Sequence, residues 1–246
     1  MLQIRALRAL GAIDAESLWA DPLLRWMAVL PLVVALAVRA VLPAVLVKVS
    51  ELAGVELAWL QPLLAGYVVV ALAPLLAGSV VGFLLLDQRD DRTLLALRVT
   101  PLPLGVYLAY RLALPTAAAL VATLAAVAVA GGLGLTPATA LLAALASAPL
   151  APLAALALAA FARNKVEGLA LMKVAGVPLM APLAGLFLPP LWRAPLHLLP
   201  TYQVARAVWA LQSGAAPWSA LLAGWGLALL LAALLLLRLR RALELG

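Results

Sequence analysis

Residues 62–92 read PLLAGYVVVALAPLLAGSVVGFLLLDQRDDR, twenty-five residues without a charge followed by five charges in six. The hydrocarbon core of a bilayer, roughly 30 Å thick, is crossed by about 20 helical residues, so the uncharged stretch is long enough to span it. It lacks the strict polar–apolar alternation of a lipid-facing barrel strand, so its backbone groups must be satisfied inside a helix. Asp87 then marks the point where that helix leaves the membrane.

The same pattern recurs along the chain. Of its 246 residues, 67% are hydrophobic and only 11% are charged, and the mean hydropathy is +1.15. A soluble domain carries about a quarter charged residues. Windows of span length give six candidates, at residues 22–47, 62–86, 105–130, 137–161, 168–191 and 217–237. Asp21-Pro22 suits an N-cap followed by proline at the first helical position, where its missing N–H is not needed. The run from Gly131 to Pro137 breaks the third span from the fourth, and Arg163-Asn164-Lys165-Val166-Glu167 breaks the fourth from the fifth. The expected fold is an all-α integral membrane protein with six transmembrane helices in one domain, residues 1–246.

With both termini in the cytoplasm, Arg5, Arg8, Arg25, Arg89, Arg92, Arg98, Arg163, Lys165, Arg238, Arg240 and Arg241 lie inside, against Lys48, Arg193 and Arg206 outside. Basic residues accumulate on cytoplasmic flanks, so this is the expected orientation. The formal charge of +7 is therefore a signal of topology, not of nucleic-acid binding. A multi-pass protein of a bacterial cell membrane is expected, with the lipid bilayer around it and the DQRDDR island in the cytoplasm.

Residues 1–20 place Arg5 and Arg8 ahead of apolar residues, as a signal peptide does, but Asp14, Glu16 and Asp21 interrupt the pattern. The segment is expected to be retained as a helix lying in the cytoplasmic interface. Leu2, Ala6, Leu10, Ile13, Leu18 and Trp19 would share one face, with Arg5, Arg8, Asp14 and Glu16 elsewhere. Residues 189–214 hold Pro189, Pro190, Pro195 and Pro200, which forbid one continuous helix, and Trp192, Tyr202 and Trp209, which favour an interface. Short half-buried helices capping the outer mouth are expected there, with His197 a packed or interfacial residue.

Much chemistry is excluded. The chain has no cysteine and one histidine, which removes thiolate metal sites and a cysteine nucleophile. It has no Gly-Lys dipeptide, hence no phosphate-cradling G-x-x-x-x-G-K-[ST] loop, and no H-E-x-x-H or G-x-S-x-G motif. Six spans leave no room in these residues for a nucleotide-hydrolysing domain. No catalytic constellation remains, and any ATP must act from another chain.

What remains is the island and its continuation. Asp90 or Asp91 can cap a short helix with Leu94, Leu95 and Leu97 on one side and Arg98 near its end, complementing the dipole at both termini. Thr100-Pro101 stops it, since the residue before proline disfavours helical geometry. An amphipathic helix over residues 88–99 is thus expected to project into the cytoplasm between the second and third spans.

Charged residues, then T-L-x-x-L, then T-P, placed between the second and third of six spans, resemble the coupling helix of type-2 ABC exporter permeases. Arg163-Asn164-Lys165-Val166-Glu167-Gly168 and Leu199-Pro200-Thr201-Tyr202 extend the resemblance over the whole chain. Within that group it is most similar to permeases named as fluoroquinolone exporters. The resemblance implies a permease subunit that exports a small amphipathic molecule, paired with a second permease subunit in a homodimer or heterodimer. It also implies a separate ATP-binding-cassette ATPase subunit that carries the ATP and Mg, with no cofactor on this chain. The contact to that subunit would be made by Asp87, Arg89, Asp90, Asp91, Arg92, Thr93, Leu94 and Leu97, assisted by Arg163, Lys165 and Glu167 and by the N-terminal helix. Export of lipid, polymer or ions by the same machinery is the alternative. A secondary transporter would want intramembrane ionisable pairs, which the spans do not offer.

Within the spans, Gly78-Ser79-Val80-Val81-Gly82 is a G-x-x-x-G whose small residues permit close helix approach, read as intrachain packing. Arg111 and Lys173 read as side chains that snorkel to headgroups. Arg39, deeper, is open between an outer anchor and a pathway residue.

Overall fold

The computed structural model describes residues 2–90 and 104–244, and among them every regular element is helical. Helix α1 (Leu2–Ala20) is followed by Asp21, whose carboxylate accepts from the N–H groups of Leu23 (2.8 Å) and Leu24 (3.4 Å). That cap and Pro22 start α2 (Pro22–Ala53), which ends on Gly54 at φ 65°. Then come α3 (Leu60–Asp90) and α4 (Leu104–Ala130). Thr136 and Thr139 cap each other's backbone in a capping box that starts α5 (Pro137–Ser147). The chain continues through α6 (Leu150–Phe161), α7 (Lys165–Ala184), α8 (Pro190–Arg193), a 3-10 turn (Ala194–Leu198), α9 (Pro200–Gln212) and α10 (Trp218–Glu244).

Six stretches are long and apolar enough to cross a membrane: Pro22–Ala53, Leu60–Gln88, Gly105–Ala130, Pro137–Phe161, Lys165–Ala184 and Trp218–Arg238. The chain is a multi-pass, all-α membrane protein. α3 is its hub, with 72% of its apolar window buried against 17% for α2 and 11% for α7. It touches α1, α2, α4, α5, α6, α7 and α9, while α10 packs on α5, α6 and α9. The α3 face made by Gly78 and Gly82 lies on α6. A Cβ at Gly78 would strike the backbone of Ala151, and one at Gly82 would come within 2.9 Å of Leu158. The G-x-x-x-G therefore joins two helices of this chain.

Several bounds differ from the sequence reading. The first span runs past 47 to Ala53, because Gly54 stops it and the charge of Lys48 does not. The fourth is two helices hinged at Ala148-Pro149. The fifth starts at Lys165, where Asn164 caps it, and ends at Ala184, not 191. α3 continues through residues 87–90, so the first part of the expected helix 88–99 prolongs α3, and residues 91–99 lie outside the described residues. In the expected cap, α9 is buried from Pro200 to Ala205, more deeply than half.

Several prolines leave helix carbonyls without their usual donors, and for two of them a later helix supplies a replacement. Pro149 has no N–H for the carbonyl of Leu145, which instead accepts from the Trp225 indole at 3.0 Å. Pro182 likewise leaves the carbonyl of Pro178, which accepts from the Thr201 hydroxyl at 2.6 Å. In a membrane interior an unpaired carbonyl costs several kcal/mol, so α9 and α10 complete the helices made before them.

Candidate coupling site

One end of the bundle gathers the starts of α2, α4 and α7, the end of α3, and α1. At the start of α7, the Asn164 side chain accepts from the Glu167 N–H at 3.0 Å, and the Glu167 carboxylate accepts from the Arg163 N–H at 2.8 Å. This double cap fixes the first turn and with it Lys165. The Lys165 ammonium donates to Asp21 and sits 2.9 Å from Asp87. An ammonium at a helix N-terminus and a carboxylate near a helix C-terminus each oppose the local dipole, and pairing them offsets both. Asp21, at the N-terminus of α2, is favoured by its dipole. Its carboxyl is held below the ordinary value, first by the Lys165 hydrogen bond and also by the N–H groups of Leu23 and Leu24, against a smaller opposing effect of burial.

Beside this clamp lies a buried polar cluster. Arg111, only 2% exposed, meets Asp14 of α1 at 2.9 Å. Its Nε donates to the Tyr107 hydroxyl at 3.1 Å, and the Tyr110 hydroxyl donates to Asp14 at 3.0 Å. Tyr107 in turn donates to Gln88 of α3 at 2.9 Å. The guanidinium carbon lies 5.3 Å and 5.7 Å from the Tyr107 and Tyr110 ring centres, within cation–π range. Positions 107, 110 and 111 share one face of α4 by helical spacing. A Cβ at Gly11 would sit 3.4 Å from the Tyr110 hydroxyl, so α1 presents its glycine where it approaches α4.

One expectation is corrected here. Arg111 does not snorkel, because a carboxylate from another helix reaches it and pairs with its charge in place. Asp14, off the apolar face of α1, is buried against α4. Lys173 is exposed, and Arg39 is exposed while donating to the carbonyl of Val129 at 3.2 Å.

Of the sequence-derived contact residues, Asp87 and Lys165 are brought together and are each about one-third exposed. Arg163 and Glu167 are exposed at the same helix start. Arg89 and Asp90 are the last two residues of α3, while Asp91, Arg92, Thr93, Leu94 and Leu97 lie outside the described residues. Sequence reasoning missed Asp14, Gln88, Tyr107, Tyr110 and Arg111 as one unit. The available signal was the Y-x-x-Y-R spacing at 107–111, together with the need of an intramembrane arginine for a carboxylate. Among the described residues no group of three acidic or imidazole side chains is placed to hold a metal.

Known proteins resemble this chain over almost all of its length. The family model described as Rv2686c-like, fluoroquinolones export permease protein Rv2686c-like, matches residues 14–236. The fluoroquinolones export permease proteins MT2760 and Rv2686c, from two strains of Mycobacterium tuberculosis, are each 29% identical over 223 residues, 89% of this chain and 88% of the relative. No solved structure matches significantly.

Proposed function

The chain belongs to the Rv2686c-like family of fluoroquinolones export permease proteins, and from that premise we propose that it is the membrane-spanning subunit of an ATP-driven exporter. It moves a small amphipathic molecule, such as a fluoroquinolone, out of the cell, with both of its termini in the cytoplasm. A separate ATP-binding-cassette subunit binds ATP and Mg and docks on residues 87–97 and on the start of α7. A second permease subunit completes the pathway.

The observation that carries this reading is the Lys165 clamp on Asp21 and Asp87. It ties the ends of α2, α3 and α7 into one platform at the root of the segment that follows Asp90. Closure of the ATPase subunits on ATP displaces that segment. Because α3 is the hub, the displacement reaches the helices packed on it and shifts the bundle between inward-open and outward-open states.

The experiment is charge reversal of Asp90 and Asp91 to Lys, followed by copurification of the ATPase subunit and by transport of a fluoroquinolone into vesicles holding both subunits. Retained copurification with undiminished transport would sink the docking assignment. ATP-dependent movement of lipid, polymer or ions in the same vesicles, with no drug movement, would replace the cargo and leave the machinery.

A further inference from the structure

The opposite end of the bundle holds an open cavity of about 310 Å³, lined by Val38 and Arg39 of α2, Gln61 and Ala65 of α3, and the turn Ala130–Leu133. Arg39 stands seventeen residues beyond Pro22, about 26 Å along the helix axis. In a hydrocarbon core roughly 30 Å thick, that brings its guanidinium close to the far interface, where the polar head of an amphiphile resides.

Several features of this cavity fit one chemical group. Arg39 uses one N–H on the carbonyl of Val129 and meets no carboxylate among the described residues. A guanidinium has five N–H donors in a planar fork, so four remain. Gly131 and Gly132 adopt φ 57° and 60°, conformations that favour glycine, and neither has a side chain to fill the space. A Cβ at Gly131 would come no nearer than 3.8 Å to the guanidinium, and one at Gly132 would meet nothing within 4 Å. The backbone N–H groups of Gly132 and Leu133 donate to no backbone carbonyl among the described residues. The wall is held in place, because the Gln212 side-chain amide donates to the carbonyls of Pro62 and Leu133, both at 2.8 Å.

A guanidinium fork tethered by one hydrogen bond, a side-chain amide and two backbone N–H groups without a backbone acceptor among the described residues offer donors to a planar or tetrahedral oxyanion. We propose that the cavity between Arg39, Gln61 and Gly132 binds the carboxylate or phosphate head of an amphipathic molecule. This deepens the export reading, on which it rests only for the source of the head: the exported compound, or a phospholipid of the far leaflet. A cavity of about 150 Å³ holds one benzene ring, so this one has room for a head group with at least one attached ring.

The test uses the full-length chain purified in detergent, as wild type, Arg39→Met, Arg39→Lys and Gln61→Leu. Equilibrium dialysis measures norfloxacin, a fluoroquinolone with a free carboxylate, against its ethyl ester, and native mass spectrometry measures retained phosphatidylglycerol. The expected result is that Arg39→Met weakens norfloxacin binding by at least about tenfold, the loss of a charge-assisted contact, and leaves the ester unchanged. Arg39→Lys recovers part of that affinity, since a point charge remains without the planar fork. Arg39-dependent retention of phosphatidylglycerol, with no norfloxacin bound even by wild type, supports the oxyanion site and overturns the drug as its source. Equal behaviour of wild type and Arg39→Met toward both probes overturns the site itself, whether or not the drug is transported.

Discussion

Removing the Asp14 carboxylate should detach α1. In Asp14→Ala the Arg111 guanidinium, 2% exposed, is left without a counter-charge, and the Tyr110 hydroxyl loses its acceptor. Breaking a buried pair by removing one partner costs about 3–5 kcal/mol. The molecule can avoid part of that cost by releasing α1 so that water reaches Arg111, because Asp14 is the one buried residue among the described side chains of α1. Among the same side chains, Leu18 packs on the apolar cluster around Leu24 and Phe83. The expected outcome is therefore local opening: hydrogen exchange of α1 amides in nanodiscs rises by about a hundredfold, some 2.7 kcal/mol, while amides of α3 stay protected. Asp14→Asn, which can keep the hydrogen bonds without the charge, should fall between. The double variant Asp14→Leu with Arg111→Met replaces both charges by apolar groups and should return to within about 1 kcal/mol of wild type. A rise of less than about threefold in Asp14→Ala, or a double variant as open as the single, would refute the claim that this pair holds α1.

The proline compensation gives a second expectation. Trp225→Phe orphans the carbonyl of Leu145 and should destabilise the chain by about 1–3 kcal/mol, whereas Pro149→Ala supplies the missing N–H, so the pair should be clearly less than additive in thermal melts. The Asp21 clamp gives a third. Because the folded carboxyl titrates below its ordinary value of 3.8, the unfolded chain binds more protons in acid, and stability rises with pH across that window. The contribution is complete above about pH 4 and is lost as pH falls through the lower folded value. Acid titration of the wild type against Asp21→Asn, which lacks the titrating group, should show a smaller acid-induced loss in the variant.

The spans were legible because hydrophobicity is a local property. The apolar run of residues 105–130 ends at the glycine-rich break that starts at Gly131, and α4 covers Leu104–Ala130. Proline was less informative. Pro74 and Pro115 lie inside unbroken helices while Pro149 hinges one, and no property of the proline itself separates them. The Asp14–Arg111 pair was hidden for another reason: its members are 97 positions apart, and the positive-inside rule counts charges without pairing them. Asp87 and Lys165, both expected to contact a partner, also meet each other, since helix ends that converge at one surface bring their terminal charges together.

The replaced carbonyl bonds also bear on the order in which the chain is made. The acceptors at Leu145 and Pro178 precede their donors, Trp225 and Thr201, by 80 and 23 residues. During synthesis the hinged helix pair α5–α6 therefore enters the lipid well before the indole that completes it exists. Until α10 arrives, the carbonyl of Leu145 lacks that donor, so the hinge is completed only by the last helix of the chain.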